Sequence, residues 1–590
     1  MEEERNIKDE LQELENIEST ALLIEDLNNG DESVAINALS KLTSIANLIG
    51  GKCTREEIIP LITKTIPKIK HNSELMLVLA EQLGLLLDCI GSEKYIPLLL
   101  PPLELIANND EATVREKAIE SMSKIAAKLD HNQHINELLP MVMKLCNEET
   151  YKMRITAVEL IPLVYSHVNT ENQALLHSIY TELLKDEIPM VRKAAIKSYG
   201  KILTTDIDPD FITTLKILIQ DTQEIVRIST IEVVAKIITM HKPELNKLFL
   251  PLIKQAAEEN KTWRLRFTVA KITPMIIGSL PISEVEEFPL NWIMILLVDG
   301  EPEVRTQAIL ALPKLVKHCS IPLFVERVFP LLKKNRDSSE HVRAALAGVV
   351  CELAESVEEK SVGEFIVPIC IELSKDSNTD VKFSLFKKIY HVIQVLSNSQ
   401  VETYILPLLS SVATEKQWRL RLELVNHLSE FAKTIDSSIF KEKLGPLVLD
   451  MLSDPVYEIR MQAGDCLIKL GDIFGSTWIE EQVLSKLNEF KGSADYLIRV
   501  SLLMLIKKLK NSVRTEFVVS KALSIVLSLK DDGTANVRLN VAKCVEGLAS
   551  KLYEEVIKNE VLPALKRLAD DLDFDVRYFA IKALQSIGNY

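Results

Sequence analysis

Ten histidines, eight cysteines and 84 acidic residues supply this 590-residue chain with groups that could catalyse or bind metal, yet their spacing points elsewhere. The only close histidine pair, His131 and His134, lies in a polar segment with no cysteine or carboxylate at ligand spacing, and reads as a solvated loop. The cysteines (53, 89, 146, 319, 351, 370, 466 and 544) form no CxxC pair and fall mostly in apolar helical patterns, as reduced core thiols of an intracellular protein do. The expected compartment is the cytoplasm, with the nucleus left open. No GxxxxGK[ST], GxGxxG after a strand, GxSxG or HExxH occurs. An active site would have to be assembled across distant segments, so no catalytic residue, metal or cofactor is expected.

Large side chains set among charges are more informative. Trp263 and Trp418 occupy matching places in Lys261-Thr262-Trp263-Arg264-Leu265-Arg266 and Lys416-Gln417-Trp418-Arg419-Leu420-Arg421, and Tyr457 and Tyr496 stand at the equivalent places of the next two segments. Tryptophan, tyrosine and arginine are the residues that protein interfaces use as anchors. A tryptophan can also fill a core seam, but these are flanked by charge, three residues before a recurring base, which favours partner contact.

That base defines the elements that must position them. From Arg421, steps of 39 residues reach Arg460, Arg499, Arg538 and Arg577. In the other direction, steps of 35 to 39 reach Lys382, Arg343, Arg305, Arg266, Arg227, Arg192, Arg154 and Arg115. Each follows Val, Ile, Leu or Met. A period near 40 with two helices per unit is the signature of HEAT or armadillo arrays. In the unit around Arg421, Ile405, Leu408, Leu409 and Val412 form one helical face, Leu420, Leu424, Leu428 and Phe431 a second, and Glu415-Lys416-Gln417 the turn between them. Ala35 and Met76 stand in the basic position of two irregular N-terminal units, giving about fifteen repeats. Prolines 13 to 15 residues before the base (101, 140, 251, 330, 368, 407, 446 and 563) predict a kinked first helix rather than a loop. Acidic residues four to six positions before the base (Asp221, Asp299, Asp376 and those in Asp570 to Asp575) predict helix capping and stitching to the base of a stacked neighbour.

The expected fold is therefore all-α: an α-solenoid whose single array runs over residues 18–590 after an acidic lead-in, 1–17. Composition agrees. Hydrophobic residues are 47% but aromatics only 5%, and Gly is scarce at 18. A net charge of −15 disfavours nucleic acid as partner. With no apolar leader and no run of 18 apolar residues, secretion and membrane spanning are also disfavoured.

Glu415 to Leu422, Ile188-Pro189-Met190-Val191-Arg192-Lys193-Ala194-Ala195, Leu79 to Gly84, Leu99 to Glu104, Ala535-Asn536-Val537-Arg538 with Asn540 to Lys543, and Asp575 to Ala580 together resemble the scaffold (A, 65 kDa regulatory) subunit family of protein phosphatase 2A. The resemblance implies a superhelical horseshoe of HEAT repeats without catalytic activity. Its turns would hold the phosphatase catalytic subunit within 402–590 and a variable regulatory B-type subunit on the N-terminal repeats. The chain would be a monomer alone and part of a heterodimer and heterotrimer in complex. Carried over by position, Trp418, Arg419, Tyr457, Tyr496 and Asn536 would lie near the catalytic subunit. Glu111, Pro189, Met190, Arg192, Lys193, Trp263 and Arg264 would serve regulatory subunits. Two departures stand out. Lys193 replaces a usual Arg, losing a bidentate fork, and the thirteenth repeat has Gln482-Val483-Leu484-Ser485 where a proline is usual. The alternative from another class is a karyopherin-like transport receptor, although the even spacing leaves no room for the acidic loop insertion of such receptors.

Overall fold

The computed structural model describes residues 25, 31–203, 207–240, 243–259, 262–334 and 339–587. The acidic lead-in 1–17 and Lys261 of the Trp263 turn lie outside the described residues. Every regular element among the described residues is helical. They fall into two compact units, one ending at Leu280 and one beginning at Pro281.

In the first unit the helices that carry or replace the basic residue are Glu32–Ser40, Ser73–Leu85, Ala112–Ala126, Tyr151–Tyr165, Pro189–Ile202, Glu224–Ile238 and Trp263–Ile277. Each packs on the next in chain order. In the second unit the series is Pro302–Leu315, Glu340–Leu353, Thr379–Phe386, Trp418–Thr434, Tyr457–Phe474, Tyr496–Leu509, Ala535–Leu548 and Phe574–Ile587, again stacked in order. This neighbour-on-neighbour packing is what defines a solenoid. The eight apolar residues assigned to the two faces around Arg421 are all buried, from Ile405 at 0% exposure to Leu408 at 7%. Ala35 and Met76 are buried too, so an apolar side chain closes the seam where the base is missing.

The acidic residues stitch neighbouring repeats as the spacing predicts, but the predicted direct capping is made by Asp573, which accepts from the N–H groups of Asp575 and Val576, and not by the acids six positions before the base. Six positions before the base, Asp186, Asp221, Asp376, Asp454, Asp532 and Asp571 each accept two hydrogen bonds from the guanidinium one repeat earlier, through its Nε and Nη2. For Arg421 on Asp454 these are 2.7 and 2.9 Å. The same carboxylate accepts the backbone N–H two residues on, as Asp454 does from Val456 at 2.8 Å. That residue is the helix N-cap, so the acid fixes the turn before the helix rather than capping it directly. Nη1 of Arg421 meanwhile donates to two carbonyls of its own turn, those of Glu415 and Lys416. Where Ser493 takes the acidic place, Arg460 turns instead to Ser501 Oγ at 2.9 Å.

The prolines lie in the first helices rather than in loops, and five of the eight, Pro140, Pro368, Pro407, Pro446 and Pro563, follow a local widening of the helix, whereas Pro251 sits inside the unbroken helix Pro243–Ala257. Thr54–Ile58, His134–Leu138, Val362–Ile366, Val401–Ile405, Phe440–Leu444 and Ile557–Val561 are single π turns, each leading directly into an α-helix with Pro in its first turn. The residue before Pro bonds five residues back, Leu406 N–H to Val401 O for instance. Proline has no N–H to give, and the wider turn absorbs its ring. The thirteenth repeat, lacking proline, runs without a π turn as Ser476–Lys491. Val518–Ala522 forms the π turn without proline, so the ring favours the turn but is not required.

Removing one partner of a buried pair leaves an uncompensated charge. Arg421 and Asp454 are 9% and 8% exposed, so Asp454→Ala is expected to lower unfolding free energy by about 3–5 kcal/mol in denaturant titrations. Arg343 and Arg538 hold the carboxyls of Asp376 and Asp571 below the usual range. A depressed carboxyl adds stability above its unfolded pKa, about 3.9, which is lost as pH falls from there through the folded value. Asp571→Asn should therefore flatten the loss of melting temperature below about pH 4; an unchanged acid slope would show that these pairs do not set it.

Candidate protein interaction surface

The turn and first helical residues of each repeat stand outside the packed seams. Counting from the base, position −3 begins the helix, and its side chain projects from the turn because the apolar residue at −1 is the one directed inward. Trp418 begins Trp418–Thr434 and is 39% exposed, while Leu420 is 1% exposed. Arg419 is exposed, with its guanidinium 5.6 Å from the Trp418 ring centre. Tyr457 and Tyr496 occupy the same position at 49% and 40% exposure. Tyr457 is steadied by an Oη hydrogen bond of 3.3 Å to Met504 Sδ. Asn536, also exposed, is oriented by Asn540, whose Nδ2 donates to its side-chain and main-chain oxygens at 3.0 and 2.7 Å. All five residues lie in the second unit.

The other candidates lie in the first unit. Trp263 is half-buried with Arg264 stacked 5.0 Å above its ring. Met190 is 44% exposed, and Glu111 is an exposed N-cap. Pro189, at the first position of its helix, and Lys193 are half-buried. Arg192 is different. Its Nε and Nη2 bind Asp221, both at 2.9 Å, and its Nη1 binds the carbonyls of Asp186 and Glu187. This guanidinium holds its own chain together, leaving Met190 and Lys193 as the side chains this turn presents outward.

Two further aromatics stand at −3, Tyr151 at 38% and Phe574 at 69% exposure, with fully exposed Leu572 beside the latter. Their register was readable in the sequence; their neighbours lack the Trp-Arg pairing that drew attention to the others. One sequence reading is corrected. His134 is not in a solvated loop: Asp130 and Gln133 form a capping box that opens a helix there, turning His134 inward to 1% exposure and stacking it 4.0 Å from His167. Burial above all lowers its pKa. Among the described residues no group of three or more His, Cys, Asp or Glu could hold a metal ion. The buried thiols fit the core reading, burial pushing Cys146, Cys319, Cys466 and Cys544 up to about 12.

Known proteins resemble this chain over parts of its length. The PPP2R1A-like HEAT repeat family matches residues 285–357, and the PIK3R4-like middle domain matches 356–489. The alpha isoform of the serine/threonine-protein phosphatase 2A 65 kDa regulatory subunit from Arabidopsis thaliana is 34% identical over 31% of this chain and 31% of its own length. The probable phosphatase PP2A regulatory subunit of Caenorhabditis elegans is 35% identical over 36% of each. The A-type PP2A regulatory subunit of Saccharomyces cerevisiae is 27% identical over 43% of this chain and 42% of its own. The chain thus spans about a third to two fifths of the length of these relatives, and its resemblance to phosphatase 2A scaffold subunits is borne out. Among solved structures, one describing Kap95p binding to RanGDP superposes with TM-score 0.61 at 12% identity, covering 96% of this chain and 76% of that one. Importin beta follows at 0.58 and 12%, covering 96% and 79%. At such identity the likeness is one of fold alone.

Because Trp418 is exposed and Leu424 buried, their truncations should separate. Leu424→Ala is expected to cost about 2–5 kcal/mol of stability and Trp418→Ala well under half of that, measured side by side by chemical denaturation. Equal losses would place the indole in the packing.

Proposed function

We propose that this chain is a non-catalytic scaffold that joins a protein phosphatase 2A-type serine/threonine phosphatase to an interchangeable regulatory subunit. The observation that carries the reading is the run of aromatic side chains at one register, Trp418, Tyr457 and Tyr496, left exposed at successive turns while the apolar faces behind them are packed. The names of the sequence relatives supply the class of partner. The catalytic subunit would engage the turns within 402–590 through Trp418, Arg419, Tyr457, Tyr496 and Asn536. A regulatory subunit would engage Glu111, Pro189, Met190, Lys193, Trp263 and Arg264, with Arg192 shaping the turn from within. Nothing in the proposed role requires chemistry by this chain: it raises the effective concentration of one partner near the other.

Trp418→Ala combined with Arg419→Glu is expected to weaken capture of a purified phosphatase 2A catalytic subunit by tenfold or more, about 1.4 kcal/mol, without loss of regulatory-subunit binding. Met190→Glu with Lys193→Glu should do the reverse. Arg192→Glu should instead lower the melting temperature by breaking its pair with Asp221. Copurification with Ran and transport cargo in place of a metallophosphatase would overturn the scaffold reading.

A further inference from the structure

We propose that the face shared by the helices Pro189–Ile202, Glu224–Ile238 and Trp263–Ile277 docks an acidic, apolar-bearing peptide segment of a partner protein. This face lies along the helices and meets the turn surface at Lys193, which the proposed regulatory-subunit contacts also use; Lys197, Lys201, Lys236 and Lys271 lie outside those contacts, so the proposal does not rest on the phosphatase reading.

Lys193, Lys197 and Lys201 follow one another at four-residue steps along the first helix, and Lys236 and Lys271 extend the set across the other two. Two carboxylates share the face: Glu159 takes Lys201 at 2.5 Å, and Glu232 stands 3.8 Å from Lys271. Lys193, Lys197 and Lys236 have no ion-pair partner among the described residues. Gathering five lysines in a chain of net charge −15 costs mutual repulsion that an anionic partner would relieve.

Between the lysines opens a cavity of about 440 Å³ whose floor is apolar, with Val233 and Ile272 buried and Met275 41% exposed. Gly200 keeps one wall low: a Cβ there would stand 3.0 Å from Val233 Cγ2 and 3.7 Å from Lys236 Nζ. Ser229 lines the cavity at 1% exposure, and its hydroxyl has no hydrogen-bond partner among the described residues. Charge and apolar floor together describe one guest: a leucine-sized side chain seated between carboxylates, with the lysine stems packing against it. No aromatic side chain lines the cavity for base stacking, which disfavours a nucleic acid.

The test uses the full chain and a fluorescein-labelled peptide of about twelve residues alternating Glu and Leu, read by anisotropy. Binding is expected to weaken with salt. Lys197→Glu with Lys236→Glu should weaken it about tenfold or more at unchanged melting temperature, and replacing each Leu of the peptide by Ser should weaken it similarly. An unaltered affinity in the double variant, equal binding of a Gln-Leu peptide, or binding only of single-stranded oligonucleotide or phosphatidylserine vesicles would overturn the proposal.

Discussion

The fork that an arginine makes with an aspartate one repeat ahead is the contact on which the rest of this architecture depends. A solenoid has no central core to enforce its geometry, since each unit packs only on its neighbours. Here a single side chain performs two tasks at once. Nη1 ties the guanidinium to the carbonyls of its own turn, while Nε and Nη2 bind the next turn's carboxylate. The carboxylate in turn receives the backbone N–H that precedes the following helix. Each rung thereby sets the shape of two turns and their offset. Five donors in a planar fork make this possible, which a lysine cannot reproduce. Lys382 accordingly makes a single charged contact, to Glu415.

Because these inward-facing groups settle the geometry of the turns, the residues beside them can present their side chains outward. Trp418 and Arg419 lie three and two residues before the rung base, and both are exposed where Leu420 beside them is buried. Placement on a rigid frame lowers the entropy that an interface must lose on association. In arrays of neighbour-packed repeats small shifts can add up over many seams, which is how such arrays suit partners of different shape.

Much of this was legible from spacing alone. Steps of 35 to 39 residues placed every base, the apolar faces of the Arg421 unit are buried residue for residue, and an acidic partner was readable a few positions before many of the bases. Other features depend on distances that spacing does not carry. The side chains of Arg192 and Lys193 differ by one residue yet face different surroundings, and only the approach of Asp221, 29 residues on, shows that Arg192 is committed inside the chain. The π turns are invisible to a 3.6-residue pattern because one extra residue shifts the register without altering composition. His134 looked solvated among polar neighbours, but its burial comes with His167, just past the end of the helix Tyr151–Tyr165.

The claim that the turns, and not the helix faces, take the phosphatase is tested most directly by amide hydrogen exchange on the full chain with and without a purified phosphatase 2A catalytic subunit. The account predicts added protection in the turns that precede Trp418, Tyr457 and Tyr496, with the helix interiors unchanged. Protection confined to helix faces, or to turns of the first unit, would contradict it.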